Sequence, residues 1–344
     1  MFKTSPIHPA EPTAAWSARL APHKGPDLKR SIWQLASTGA LFVGAWILMY
    51  LSLRVSYWLT LALAIPAAFM QVRLFIIQHD CGHGSFFRST TASDVTGALL
   101  GVLTLTPYHY WKRTHAIHHA TSGNLEHRGF GDIDTLTVEE YLALTRWGRF
   151  KYRLYRHPAT LFLFGPMLHF FIKHRLPTIV PRTWRRERWS IVWTDVMLAS
   201  VVVLLGLLLS FKALLLVHLP LAILSCSIGV WLFYVQHQFE PTYWEHDEHW
   251  AYESAALEGS SYYALPKVLQ WLTGNIGLHH IHHLNARIPN YRLQRVLDTF
   301  PELRRVTTIT TWQSFKCVSL ALWDEQNRKL VRFRDVMRSR QRPA

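Results

Sequence analysis

Thiol chemistry is almost absent from this sequence. Three cysteines, Cys81, Cys226 and Cys317, are scattered over 344 residues, too few and too far apart for a disulfide framework or a thiolate zinc site. Charge is scarce too: Asp, Glu, Lys and Arg make up 17% of the chain, against about a quarter in ordinary soluble domains. Nothing at the start combines a basic flank with a short apolar core, so residues 1–30 are not a signal peptide. With six Pro or Gly up to Pro26, they are expected to form a mobile cytosolic leader.

What the chain has instead is aromatic residues (13%, including 15 Trp), 20 His, a net charge of +15 and long uncharged runs. Residues 32–53 are almost free of charge, and 22 residues at about 1.5 Å each are long enough to cross a bilayer as a helix. Further runs at 57–77, 191–211 and 213–235 complete four expected spans in two hairpins. The second contains Pro66 and ends near Arg73, which is expected to snorkel or meet a carboxylate. Residues 93–107 and 159–172 are apolar but too short to cross and are expected at the interface. A polar helix is expected over about 138–156. Residues 31–300 then form one domain, and 301–344 a basic cytosolic tail.

Four spans put both termini on one side. Under that topology 34 of the 37 Lys and Arg lie on the side of the termini, and the two opposite loops hold only Arg54 and Lys212. This is a strong positive-inside asymmetry. It accounts for the basic charge through membrane topology, and nucleic acid is not required as a partner.

The histidines are clustered. His79 and His83 follow the second apolar run; His115, His118 and His119 form a second cluster; His279, His282 and His283 form a third. Residues three and four apart share a helix face, so each cluster can aim two or three imidazoles at one point, and all three fall on the cytosolic side. Imidazole suits zinc, copper, iron and nickel alike. A single tetrahedral zinc needs at most four ligands; eight or nine histidines, counting His237 just past the fourth span, suggest two metals sharing a site. Asp80, Asp132, Asp134, Glu245, Asp247 and Glu248 are candidates to accept the outer imidazole N–H groups, although each taken singly reads more simply as a solvated carboxylate. Isolated histidines (His8, His157, His169, His174, His218) read as surface or packing residues. The zinc-protease pattern His-Glu-x-x-His is not met, since Asp80 stands in the second position.

These motifs in this order resemble the membrane fatty acid desaturases. HDCGHGSFF at 79–87, HAIHHATSGNL at 115–125, WLFYVQHQFE at 231–240 and GNIGLHHIHHLNARIPNYRL at 274–293 look most like the bacterial acyl-lipid and plant-type omega-6 branch. The resemblance implies an all-α integral membrane protein, with a cytosolic helical cap carrying a polyhistidine site for two non-haem iron ions. It implies that O2 is a co-substrate and that a cis double bond is introduced into acyl chains of membrane lipids. The eight box histidines become metal ligands and catalytic groups, with His237 as a ninth ligand. The Asn that relatives carry four residues before that histidine is Phe233 here, and Asn275 is a candidate to supply a polar group instead. A bacterial inner-membrane location follows, with the active site cytosolic.

The chemistry agrees with the resemblance. Acid–base side chains cannot attack an unactivated C–H bond, which calls for a redox metal and O2. An apolar substrate asks for a tunnel, for which Phe86, Phe87, Trp111, Trp231, Phe233 and Trp271 are candidate lining residues. No His-Pro-Gly-Gly haem motif, ferredoxin-type cysteine run or Gly-x-Gly-x-x-Gly fingerprint occurs in the sequence. An external, ferredoxin-like electron donor is therefore implied, and the basic stretches 182–188 and 328–342 suit an acidic one. Two other outcomes fit fewer features: a lipid hydroxylase or other oxygenase on the same site, and a non-enzymatic membrane metal-binding protein. The latter would need polar residues along the spans, which hold little beyond Arg73, Asp195 and His218.

Overall fold

The computed structural model describes residues 16–129 and 131–339. Its frame is four helices long and apolar enough to cross a membrane: α1 (Leu28–Ser52), α2 (Tyr57–Gly82), and a second pair at Arg185–Leu209 and Phe211–His237. The sequence locates each of them, but all four run longer than the apolar stretch. α2 continues past Ile77 through buried Gln78, His79, Asp80 and Cys81, none of which breaks a helix. The first histidine pair is thus carried by the end of the span itself. α1 starts early because Asp27 caps it, its carboxylate accepting the Arg30 backbone N–H at 3.2 Å.

α2 is the central helix. Ala64, Ala67 and Ala68 are fully buried and let its neighbours approach closely, while Met70, Leu74 and Ile77 fill the contact with Val217 and Leu221 of the fourth span. The outer faces remain apolar and exposed, as at Leu41, Leu48, Val203 and Leu207, which is what a helix facing lipid requires. The turn of the second hairpin falls at Ser210 (φ +99°), leaving Lys212 inside the fourth span. Gly206 is required there, since a Cβ would lie 2.3 Å from the Phe211 ring. Arg73 neither snorkels nor finds a carboxylate. It donates to the Trp271 carbonyl and, at 3.2 Å, to the Thr38 hydroxyl, with its guanidinium over the Trp271 ring; a carbonyl dipole and an aromatic face satisfy it without a second buried charge.

The segments between the hairpins form the cap. Residues 93–107, expected at the interface, contain the helix α3 (Thr90–Leu103), tied to α2 through Gln78, which accepts from Thr104 and donates to the Thr106 carbonyl. α4 (Tyr108–Thr121) carries the second histidine cluster. A short strand β1 (Leu136–Thr137) follows. The single helix expected over 138–156 is two: α5 (Val138–Ala143), opened by a Thr137/Glu140 capping box, and α6 (Arg146–Tyr155), capped by Thr145. The second cap starts a new helix where one continuous helix was expected. The third and fourth spans are α7 (Arg185–Leu209) and α8 (Phe211–His237). They are followed by α9 (Tyr252–Glu258), β2 (Tyr262–Ala264), α10 (His279–Leu284) and α11 (Asn290–Thr299).

Two expectations at the chain ends change. The leader is not mobile throughout: residues 16–30 dock on the cap, with Leu20 fully buried and Trp16 against Phe300. Residues 1–15 lie outside the described residues. The expected tail folds back as β3 (Thr308–Thr310), β4 (Leu322–Asp324) and β5 (Lys329–Val331), pairing in the orders β1-β4-β5 and β2-β3. Ile309, Trp323 and Leu330 enter the same core as Tyr234 and Phe239 at the end of α8.

One exposed clip joins three of these returns. His246 pairs with Glu126 through Nδ1 and with Glu325 at 3.0 Å through Nε2. Hydrogen bonds that its ring donates to these two carboxylates raise its pKa to about 9. A raised imidazole pKa means stability that is full below the ordinary value and lost as pH rises through the raised one. His246→Gln should therefore lower the thermal midpoint at pH 6, with the deficit shrinking through pH 9 and gone by pH 10. Equal deficits in melts at the two extremes would refute the clip.

Candidate metal centre

Nine histidines converge where α2, α4, α8 and α10 meet. Their ring nitrogens form two groups, each within 4.8 Å: His79, His83, His115, His119 and His282 in one, and His118, His237, His279 and His283 in the other. The sequence clusters do not map one to one onto these groups. On α4, His115 and His119 share one face by i, i+4 spacing while His118 turns to the other group. On α10, His279 and His283 pair in the same way and His282 crosses over. Clusters two and three therefore each serve both groups, whereas the sequence reading aimed each cluster at one point.

The contacts between rings are what an ion-binding cage requires. His119 Nε2 lies 3.1 Å from His115 Nε2 and 3.0 Å from His282 Nε2; His279 Nε2 lies 2.9 Å from His237 Nε2 and 3.1 Å from His283 Nε2. One ring nitrogen has either one hydrogen or one lone pair in its plane, so His119 and His279 cannot satisfy two such neighbours by hydrogen bonding. Two nitrogens each about 2.1 Å from a common ion and at right angles to it would be about 3.0 Å apart. Further, His83 Nε2 and His118 Nε2 are buried with no partner. The donor set fits a metal in each group.

Seven of the nine are buried, with His118 fully so and His282 and His283 1% exposed, while His83 and His115 are half-buried. Desolvation, and secondarily the neighbouring imidazoles, push His83, His115, His119, His279, His282 and His283 well below the ordinary histidine range. They remain neutral, the form that offers a lone pair to a metal.

The outer nitrogens identify which carboxylates matter. Of the six proposed from sequence, two reach the cage: Asp80 lies 3.2 Å from His79 Nδ1, and Asp132 pairs with His118 Nδ1. Asp80 is itself held by the backbone N–H and side-chain amide of Asn290, at 2.7 and 2.8 Å. Glu245 is taken by Arg328, and Asp247 by Asn124 and His127; the Asp134 and Glu248 carboxylates have no cage contact. The third support is one the sequence did not reveal: His237 Nδ1 donates to the Gly259 carbonyl at 3.0 Å.

Other expectations sort as follows. His280 faces away from both groups and is buried near Tyr262. Asn275 donates to the Asn290 carbonyl rather than into the cage. Phe233 packs on the His118 and His237 rings, both at 5.2 Å. Trp111 stacks on His115, and Trp271 on Arg73; Phe86 and Phe87 pack in the core. Of the candidate tunnel aromatics, Trp231 lines a groove of about 320 Å³, together with Phe69, Phe162, Ile228, Leu265 and Leu269.

Comparison with known proteins agrees with this geometry. The fatty acid desaturase family profile matches residues 55–313. The chain is 48% identical over 311 residues to a fatty acid desaturase of Bacillus subtilis, covering 90% of this chain and 88% of the relative. It is 28% identical to a Synechocystis sn-1 acyl-lipid omega-3 desaturase (ferredoxin), over 70% and 68% of the two chains. With an Anabaena variabilis sn-1 oleoyl-lipid 12-desaturase the identity is 26%, over 80% and 77%. A match across most of the chain, spanning all three histidine clusters, shows that the protein belongs to the fatty acid desaturase family of membrane oxidoreductases.

Proposed function

We propose that this enzyme introduces a cis double bond into acyl chains of intact membrane lipids, using two iron ions, one in each histidine group. The observation that carries this reading is the division of nine convergent imidazoles into two adjacent sets. In this reading His79, His83, His115, His119 and His282 hold one ion, and His118, His237, His279 and His283 hold the other. Bound iron supplies O2 activation, the chemistry an alkyl C–H bond requires. The chain's own residues keep the rings neutral and aimed. Asp80 and Asp132 accept the outer N–H of His79 and His118, fixing tautomer and orientation, and Phe233 shields His118 and His237 from water.

The lipid chain would lie in the groove beside Trp231, whose lining is almost wholly apolar. The charge asymmetry supports a bacterial inner membrane, with termini and cage on the cytosolic side. There a small iron–sulfur donor, like the ferredoxin named for the Synechocystis relative, would deliver electrons. Residues 31–300 would be the desaturase domain, with residues 16–30 and 301–339 its docked extensions.

Purified protein should contain about two irons per chain, matching the two groups; one zinc per chain would refute the dinuclear reading. His118→Ala should insert normally and form no product. Asp132→Asn should lower iron affinity or product formation by about 10–100-fold. Gas chromatography of fatty acid methyl esters from a host lacking unsaturated chains should show new cis double bonds. Hydroxylated chains without new unsaturation would replace this reading with that of an oxygenase.

A further inference from the structure

Arg156 lies just beyond the end of α6 and is 3% exposed. Among the described residues, none of its hydrogen-bond partners is a carboxylate. Nη1 donates to the Asp134 carbonyl at 3.2 Å and the Thr135 hydroxyl at 3.4 Å. Nη2 is within reach of the Leu320 carbonyl at 2.8 Å, Gln238 Oε1 at 2.9 Å and the Tyr234 hydroxyl at 3.2 Å. Nε is buried without a partner. A guanidinium taken out of water with no counter-ion carries a large desolvation cost, so what these five neutral acceptors hold in place is informative.

They belong to three separate parts of the chain. Asp134 and Thr135 are in the loop that carries Asp132, the partner of His118. Tyr234 and Gln238 flank His237, one turn before it and one residue after it. Leu320 leads into β4, within the C-terminal segment. Gln238 closes the connection by also donating to Thr135 at 3.2 Å. A rigid, planar five-donor group can fix several acceptors at once, which Lys cannot.

We infer that Arg156 is a positioning residue for one half of the centre, the half formed by His118, His237, His279 and His283. It sets the spacing between the Asp132 loop and the end of α8, and with it the aim of His118 against His237. The other half is outside its reach: Asp80, which orients His79, is held by Asn290. The consequence is asymmetric. Loss of Arg156 should loosen one metal position and leave the other as it is. This rests on the dinuclear reading proposed above.

The test uses the full-length protein in detergent, with Arg156→Met and Arg156→Lys. In the metal-free protein, hydrogen–deuterium exchange should quicken over 131–136 and 234–239 and stay unchanged over 79–83. On titration with ferrous iron, the affinity of one position should fall by about 10–100-fold while the other is unmoved, with one of two Mössbauer doublets lost; Arg156→Lys should restore part of it. Unchanged exchange, or equal weakening of both positions, would overturn the inference. If Arg156→Met does not fold, Gln238→Leu removes one of its five acceptors together with the Gln238–Thr135 bond and should give the same asymmetry at smaller size; a symmetric loss, or none, overturns it equally. Wild-type protein titrated alongside separates the two ideas. A single wild-type iron position would sink the dinuclear reading, while the exchange data still decide whether Arg156 ties the two segments.

Discussion

The structure depends on bringing nine imidazoles together and, for the six outside the spans whose pKa values fall, keeping them neutral. Each ring would lose hydration on burial, and two or more positive charges within 5 Å of one another would repel strongly in a medium of low polarity. Neutrality removes both costs and leaves one lone pair per ring for a metal. Burial and crowding enforce it together, which is why the rings outside the spans have their pKa values driven down in concert. The remaining problem is orientation. Asp80, Asp132 and the Gly259 carbonyl solve it at three of the nine, each accepting the hydrogen that a neutral imidazole must still carry on its other nitrogen.

Four elements must then meet at one place, and the membrane frame brings two of them. α2 and α8 pack along a common seam of Ala64, Met70, Val217 and Leu221, and both end at the cage, with His79 on α2 and His237 closing α8. These are long, rigid helices, so the first and fourth contributions are placed before the cap is considered. The cap adds α4 and α10, short helices that hold little stability of their own. They are fixed by packing: α4 through its Trp111 against Phe75 of α2, α10 through Leu278, Ile281 and Leu284 in the core that also buries Leu20. The docked N-terminal residues and the folded C-terminal segment are thus part of what holds the third cluster in place.

The legible part of this arrangement is the part governed by local periodicity. Apolar length locates the four spans, and i, i+4 spacing locates the histidines. Lys and Arg counts separate the loops into two classes. What stayed hidden is set by partners distant in sequence. Asp80 and Asp132 cannot be told from Asp134 or Asp247 by composition, because the distinction is whether an imidazole faces them. Arg73 read as a group in search of a carboxylate because a carbonyl and an indole face leave no charge signature. The segments at 16–30 and 301–339 read as leader and tail because their apolar stretches are too short to mark a span: Leu20, Ile309 and the run 320–323 are buried by surfaces distant in sequence. The split of clusters two and three between the metal groups follows from helix rotation, and only the relative placement of α4 and α10 reveals it.

That α8 carries both His237 and the groove has a consequence for where an acyl chain would be oxidised. Trp231 is six residues before His237 and Ile228 nine, about 9 and 13 Å along one unbroken helix. Pro220 interrupts the hydrogen-bond ladder well below both, so the stretch between groove and cage is regular. Distance from the apolar wall to the metal-facing nitrogen is therefore a property of a single rigid element rather than of loops. Under the proposed occupancy, an acyl chain against Ile228 and Trp231 is held at a fixed distance along α8 from His237. Phe233, two residues past Trp231, packs on the rings of His118 and His237. His237 and the apolar wall at Ile228 and Trp231 thus share one helix, while the polar groups that orient the rings, Asp80, Asp132 and the Gly259 carbonyl, all come from other segments.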